Sequence, residues 1–322
     1  MASSTQEPPG KGPLTIRNLC DLLGLTCELT TAVSPAARII AEWPTGFGHV
    51  ETLSLAIQDE DVPATLIRPA GPGPFPAVLY CHAHGNRYSI GRSELELGRP
   101  ALREPAYGPR LAESGIASLC LDMPGFGARQ VMGTESSLAK AQLWKGRPLI
   151  GVMLAEQIAG ITYLCGRPDI RPDRIAGLGI SMGATLAYFL AALDGRIRAV
   201  AHLCAFANMA PLIASGAHDL HGPYMTVPGL LKQGDLAGVA ALVAPRPQLI
   251  CAGLKDPLTP PDALMPALRT VERAYRDYPA NLQVVVDKTA GHEETPGMRT
   301  AVEAFLTQNL TDPHSNETML GS

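Results

Sequence analysis

Gly179-Ile180-Ser181-Met182-Gly183 places a serine between two glycines, where the apolar run RIAGLGI meets a small-residue run, GATLAYFLAAL, that reads as a helix. The G-x-S-x-G pattern alone is weak, because chance produces it often; the strand, sharp turn and helix around it make it informative. Flanking glycines permit a strained turn and close helix–strand packing. The N–H groups that open the helix would face a developing negative charge. The chemistry such a serine does is nucleophilic attack on a carbonyl carbon. The competing reading is an ordinary glycine-rich turn that exposes a serine.

A serine hydroxyl needs a base. His292, in Ala290-Gly291-His292-Glu293-Glu294, follows the apolar run LQVVVD and precedes a helical segment. That is a loop at the carboxyl end of a strand, where open α/β sheets collect functional groups. The chain order Ser…Asp…His then calls for an acid between the two. Asp256, after the run PQLICAG, fits the task of holding the imidazole tautomer and offsetting its charge. Asp262 is a competitor, but it sits at a helix start, where capping is the default. Asp219 and Asp235 keep open an acid placed after the preceding strand.

Two backbone donors are needed for an oxyanion. One is expected from Met182. The other is expected from the loop Cys81-His82-Ala83-His84-Gly85-Asn86 after the run PAVLYCH. His82 and His84 also have the spacing of a metal pair, but no carboxylate or cysteine lies close by in sequence, so no metal is expected. His218, Asp219 and His221 read as a polar pocket rim. Ala83, Trp144, His218, His221 and Tyr224 are the candidate pocket residues, with a core role equally open for Trp144 and Tyr224.

These residues need a scaffold. Apolar runs without polar alternation recur at 76–82, 116–123, 175–180, 198–204, 247–253 and 282–287, with helix-compatible segments between them. Such strands are buried on both faces and run parallel. The fold class is therefore α/β, with a doubly wound, mostly parallel sheet. A hairpin precedes it, with strands near 48–57 and 62–68 around Asp59-Glu60-Asp61. Helical patterning in LTIRNLCDLLGL and SPAARIIAEW predicts a helical N-terminal extension. The expected division is residues 1–45 as tail and extension, 46–310 as one domain, and 311–322 as a C-terminal tail. Residues 205–240 are too long for a simple crossover and are expected to form a pocket wall.

Length and composition agree with an enzyme of this kind. The 322 residues are 46% apolar and 17% charged, which is enough to bury a large core. A net charge of −4 gives no basic footprint, so nucleic acid is an unsuited partner. Seven scattered cysteines, several in strand-like runs, read as buried free thiols, with no zinc-like spacing. The N-terminus lacks the apolar core of a signal peptide, and no run reaches the roughly 18 apolar residues of a membrane span. A cytoplasmic setting is the default. Oligomeric state is not set by the sequence; a homo-oligomer is as compatible as a monomer.

Over roughly residues 48–310 the chain resembles the dienelactone hydrolase and acetyl-xylan-esterase-like branch of the α/β-hydrolase superfamily. The resemblance rests on His82-Ala83-His84-Gly85, Asp122-Met123-Pro124-Gly125-Phe126-Gly127 and Arg167-Pro168-Asp169-Ile170-Arg171-Pro172-Asp173-Arg174-Ile175. It also rests on Ala244-Pro245-Arg246-Pro247 and Gly291-His292-Glu293. It implies the α/β-hydrolase fold, a Ser181–His292–Asp256 triad, no cofactor, and the N–H of His84 as second oxyanion donor. Ala83 stands where glycine is usual, which leaves Ala83 and His84 both open for that role. Ser181 replaces the cysteine nucleophile of dienelactone hydrolases proper. The expected function is hydrolysis of a small to medium carboxylic ester through an acyl-enzyme. The same triad acting on amides or carbon–carbon bonds is the first alternative, and a non-catalytic binding protein on this fold is the second. The natural substrate and the role of residues 1–45 are not legible.

Overall fold

The computed structural model describes residues 14–26 and 33–311. The expected tail over 1–13, and all of the C-terminal tail except Thr311, lie outside these residues.

Nine strands form one sheet: β1 (Ala37–Thr45), β2 (Gly48–Ile57), β3 (Glu60–Arg68), β4 (Phe75–Cys81), β5 (Ala117–Leu121), β6 (Ile170–Ile180), β7 (Ile197–Leu203), β8 (Gln248–Gly253) and β9 (Leu282–Asp287). Their order is β1-β2-β3-β5-β4-β6-β7-β8-β9. The first three strands pair antiparallel with one another, and β3 pairs antiparallel with β5. From β5 through β9 every pairing is parallel. The central parallel strands read as apolar runs because helices cover both faces, whereas the edge strand β9 is only partly covered.

The helices are α1 (Ile16–Leu23), α2 (Glu94–Leu97), α3 (Tyr107–Glu113), α4 (Glu135–Trp144), α5 (Leu149–Gly166) and α6 (Met182–Leu193). They continue as α7 (Met209–Ser215), α8 (Leu230–Gln233), α9 (Leu236–Ala241), α10 (Pro261–Ala274) and α11 (Pro296–Leu310). One face of the sheet packs on α1, α5, α6, α9 and α10. The other packs on α3 and α11. Strand β4 shows the alternation: Ala77, Leu79 and Cys81 belong to the first core, Val78 and Tyr80 to the second. Helix α5 is long and apolar enough to cross a membrane, but 72% of it is buried in the fold.

Two sequence expectations are corrected. The helical N-terminal extension holds only for α1. Residues 37–45, expected to continue as helix, are the edge strand β1, and the sheet therefore begins before residue 46. Ala37 to Glu42 are all exposed, so this segment has no buried face to impose a period on its sequence; pairing with β2 fixes its conformation. The acidic turn is also displaced. Gln58 and Asp59 make the turn, with Gln58 at φ 55°, and Glu60 and Asp61 already pair in β3.

Candidate active site

Ser181 lies between the end of β6 and the start of α6, with φ 57° and ψ −123°. A non-glycine residue at positive φ is strained, and the surrounding structure must hold it there. Its N–H donates to the Leu203 carbonyl on β7. Gly183 completes the turn by close approach: a Cβ there would lie 1.8 Å from the Cys81 carbonyl oxygen. The absence of that Cβ lets α6 sit directly against the end of β4, which brings the loop 82–85 beside the helix N-terminus.

The three residues of the expected triad come together. Ser181 Oγ lies 2.9 Å from His292 Nε2, and His292 Nδ1 lies 2.7 Å from Asp256 Oδ2. A carboxylate only accepts, so Nδ1 carries the proton and Nε2 presents its lone pair to the serine hydroxyl. The Asp256 side chain is fully buried, whereas the His292 side chain is 23% exposed. The two loops that carry them are tied by Leu254 N–H to the Asp287 carbonyl and Lys255 N–H to the Ala290 carbonyl. Beyond His292, buried Glu294 accepts from Arg103 N–H, Tyr107 Oη and the Arg299 guanidinium, which pins the loop to α3 and α11.

The competing acids are elsewhere. Asp235 caps α9, accepting the N–H of Leu236, and takes those of Met209 and Ala210 as well. Asp219 is on the rim of a cavity in the insertion. Asp262 lies in the first turn of α10, one residue inside the helix and not at its cap, which is Pro260.

Both candidate oxyanion donors can now be placed. Met182 is the first residue of α6, so its N–H has no partner within the helix. The N–H of Ala83 is already taken by the Glu94 carboxylate, 3.1 Å from each oxygen. The N–H of His84 meets no acceptor among the described residues. The imidazole of His84 accepts from Asn86 N–H at Nδ1 and donates from Nε2 to Glu135 Oε2, 2.6 Å away. Glu135 also accepts from Tyr88 Oη and, through its other oxygen, from the Tyr224 N–H. One buried carboxylate thus joins the loop after β4 to the 205–240 insertion.

That insertion encloses a cavity of its own, whose lining includes none of Ser181, Asp256 and His292. It lines this cavity, of about 390 Å³, with His218, Asp219 and His221 among Met209, Ile213, Met225, Leu230 and Leu236. His221 Nε2 donates to the carbonyl of Leu258, two residues after Asp256, and burial pushes its imidazole pKa down. Tyr224 stacks over His84, 6.0 Å between ring centroids, and is buried. Ala83 is 2% exposed, packed into the core beneath the loop. Trp144 does not join this group. It is 92% exposed at the end of α4, beside Lys140 and Leu143, because α4 turns only its other side inward. Among the described residues no cluster of three His, Cys, Asp or Glu could hold a metal. His82 and His84 diverge: His82 Nε2 accepts the Met123 N–H inside the fold, while His84 faces Glu135.

Sequence reasoning missed Glu94, Arg99, Glu135 and Glu294, all partners of the loops that carry the site. Their buried, paired state depends on contacts from other parts of the chain. Nothing local singles out Glu94, because α2 reads Glu94-Leu95-Glu96-Leu97 and carries a second acid in the same turn.

No family model matches the chain. Over 260 residues it is 36% identical to YtaP of Bacillus subtilis (strain 168), a hydrolase by name; the match covers 80% of this chain and 87% of that protein. It is 32% identical over 145 residues to the esterase FrsA of Salmonella typhi, covering 44% of this chain and 28% of that protein. Among solved structures, the methylesterase BT1017 superposes with TM-score 0.69 at 21% identity, covering 91% of this chain and 62% of that one. Acetyl xylan esterase 1 from Thermoanaerobacterium sp. JW/SL YS485 superposes with TM-score 0.64 at 15% identity, covering 94% and 96%. The sequence match shows the family and the superpositions show the fold: the chain belongs to the α/β-hydrolase family, the family of these esterases.

Proposed function

We propose that the protein hydrolyses a carboxylic ester of small to medium size through an acyl-enzyme on Ser181. The carrying observation is the chain of two hydrogen bonds from Ser181 Oγ through His292 to the buried Asp256. His292 Nε2 takes the serine proton as Oγ attacks the ester carbonyl, and Asp256 offsets the imidazolium charge. The N–H groups of Met182 and His84 receive the oxyanion. His292 then gives its proton to the leaving alcohol, and a water deprotonated by the same nitrogen releases the acid. The names of the relatives, hydrolase and esterase, support an ester as substrate.

The cavity of about 390 Å³ lies within the insertion and neither Ser181 nor His292 lines it; its size suits a small to medium acyl or alcohol group extending from the triad, since ligand pockets run from about 300 to 1,000 Å³. His221 and Gly222 belong to its wall and reach toward the loops of Asp256 and His84, respectively. We assign the protein to the cytoplasm, a reading supported by Cys81, Cys120, Cys204 and Cys251, which are buried as thiols and not joined in disulfides.

A fluorophosphonate probe should label the wild type and not Ser181→Ala. On p-nitrophenyl esters that substitution should lower kcat by about 10³-fold or more. Faster turnover of aminoacyl amides than of matched esters would overturn the ester reading. A kcat/KM that climbs steadily from acetate to laurate esters would overturn the size limit.

A further inference from the structure

Glu94 is a fully buried carboxylate outside the triad, and its partners are all at one place. It accepts the Ala83 N–H with both oxygens, accepts from Tyr80 Oη at 2.6 Å, and is ion-paired with Arg99. Arg99, whose side chain is 4% exposed, turns its Nη2 to the carbonyl of the same residue, Ala83, at 3.0 Å. The two groups therefore hold the peptide units on both sides of Ala83. Gly85 belongs to the same arrangement. A Cβ at that residue would lie 2.5 Å from Arg99 Nη1, so the guanidinium passes directly beneath the loop.

Such an arrangement is expensive as plain stabilisation. Desolvation raises the Glu94 pKa, and the Arg99 charge, the Tyr80 hydroxyl and the Ala83 N–H oppose that rise. A buried ion pair is often no more stabilising than an apolar replacement of similar volume. What it does secure is direction. With the Ala83 N–H and carbonyl both held, the next N–H, that of His84, is left unbonded among the described residues and fixed relative to α6.

We propose that Glu94 and Arg99 are positioning residues that clamp the Ala83 peptide units and thereby aim the His84 N–H at the oxyanion. The clamp rests on the ester-hydrolase reading above, because it acts through the oxyanion that reading requires. Donors aimed in advance act on the transition state more than on the ground state. Loss of the clamp should therefore lower kcat and leave KM nearly unchanged.

The test compares Glu94→Gln, Arg99→Lys and Arg99→Met with wild type on p-nitrophenyl butyrate. Affinity for a trifluoromethyl ketone that forms a tetrahedral adduct is measured alongside. The expected result is a kcat lowered about 10- to 100-fold with KM within about threefold, and a parallel loss of ketone affinity. Arg99→Lys, which keeps the charge on Glu94, should retain more activity than Arg99→Met. Where a variant does not fold, amide exchange in the wild type by NMR decides. The Ala83 amide should be strongly protected, and the His84 amide should exchange readily until the ketone binds. Folded Glu94→Gln and Arg99→Met enzymes with wild-type kcat, or a protected His84 amide in the free enzyme, would overturn the clamp. Ser181→Ala is the control that separates the two readings. If it is inactive while the clamp variants are fully active, only the clamp falls; if it is active, the triad falls too.

Discussion

The carboxylate of Asp256 holds two groups at once: its Oδ2 takes the Nδ1–H of His292 at 2.7 Å, and its Oδ1 takes the N–H of Leu258 at 2.9 Å. The second bond keeps the carboxylate plane turned to the imidazole. An asparagine at this position would offer an amide N–H in place of an acceptor and would favour the wrong tautomer. Asp256→Asn should lower kcat about 10⁴-fold. Asp219→Asn and Asp262→Asn should stay within tenfold of wild type. Asp235→Asn should keep the cap, since Asn caps as well as Asp, and should cost at most about 1 kcal/mol through the Ala210 N–H that Oδ2 no longer accepts, with little effect on turnover. A crippling effect at Asp219 or Asp235 in steady-state kinetics would move the acid to the earlier loop.

Gly222 sits against the loop of His84, the proposed second oxyanion donor. A Cβ there would lie 2.6 Å from Glu135 Oε1 and 3.0 Å from His84 Nε2. Gly222→Ala should push the insertion away from Glu135 and loosen the His84 side chain. A drop in kcat/KM of about tenfold is expected, following the sensitivity of catalysis to small misplacements. Trp144→Ala, at an exposed site, is the matched control and should be neutral. Equal effects of the two substitutions would remove the insertion from the active site.

Gly183 faces backbone, not a movable side chain, at the Cys81 carbonyl. Gly183→Ala must therefore separate α6 from β4. A loss of about 3 kcal/mol or more is expected, enough to leave the protein largely insoluble or to lower its Tm sharply. A soluble variant with wild-type Tm would show that the turn is looser than described.

Two buried histidines set the acid response. Burial lowers the pKa of both His82 and His202 from 6.5 to about 3. His82 Nε2 accepts the Met123 N–H, a bond that protonation would remove. Above pH 6.5 both groups are neutral in either state and add no pH dependence. Between pH 6.5 and about 3 the unfolded chain binds these protons and the folded one does not. Each histidine should therefore weaken folding by about tenfold per pH unit across that window as pH falls. Urea unfolding at pH 7 and pH 5 should show the loss, and His202→Gln should lessen its slope. An unchanged slope would mean that His202 takes up its proton in the folded protein.

Some of this was legible from sequence because the signals are local. The residues around Ser181 spell strand, turn and helix within about twenty positions, and the central parallel strands show apolar runs because both their faces are covered; β9, at the sheet edge, has an apolar run with no fully buried residue. His292 and Asp256 each follow such a run, so their place at the carboxyl edge followed from the strands alone. Residues 37–45 misled for the opposite reason. Over residues 37–42 this edge strand has no buried face, and only its partner β2 decides that it is extended.

The choice between Ala83 and His84 as second donor shows the same division. The sequence pointed to the loop after β4 for the proposed second N–H, since a strand ends there and the loop follows it directly. It left the two residues equivalent, because adjacent peptide groups carry identical donors. The tertiary structure separates them: Glu94, eleven residues on, folds back to occupy the N–H of Ala83, and Arg99 takes its carbonyl. Glu135 reaches His84 from fifty-one residues away and Tyr224 from eighty-nine. Burial and pairing of a charge are properties of the folded surroundings, not of the residue, so the acidic partners of this site became visible only when the chain had closed around them.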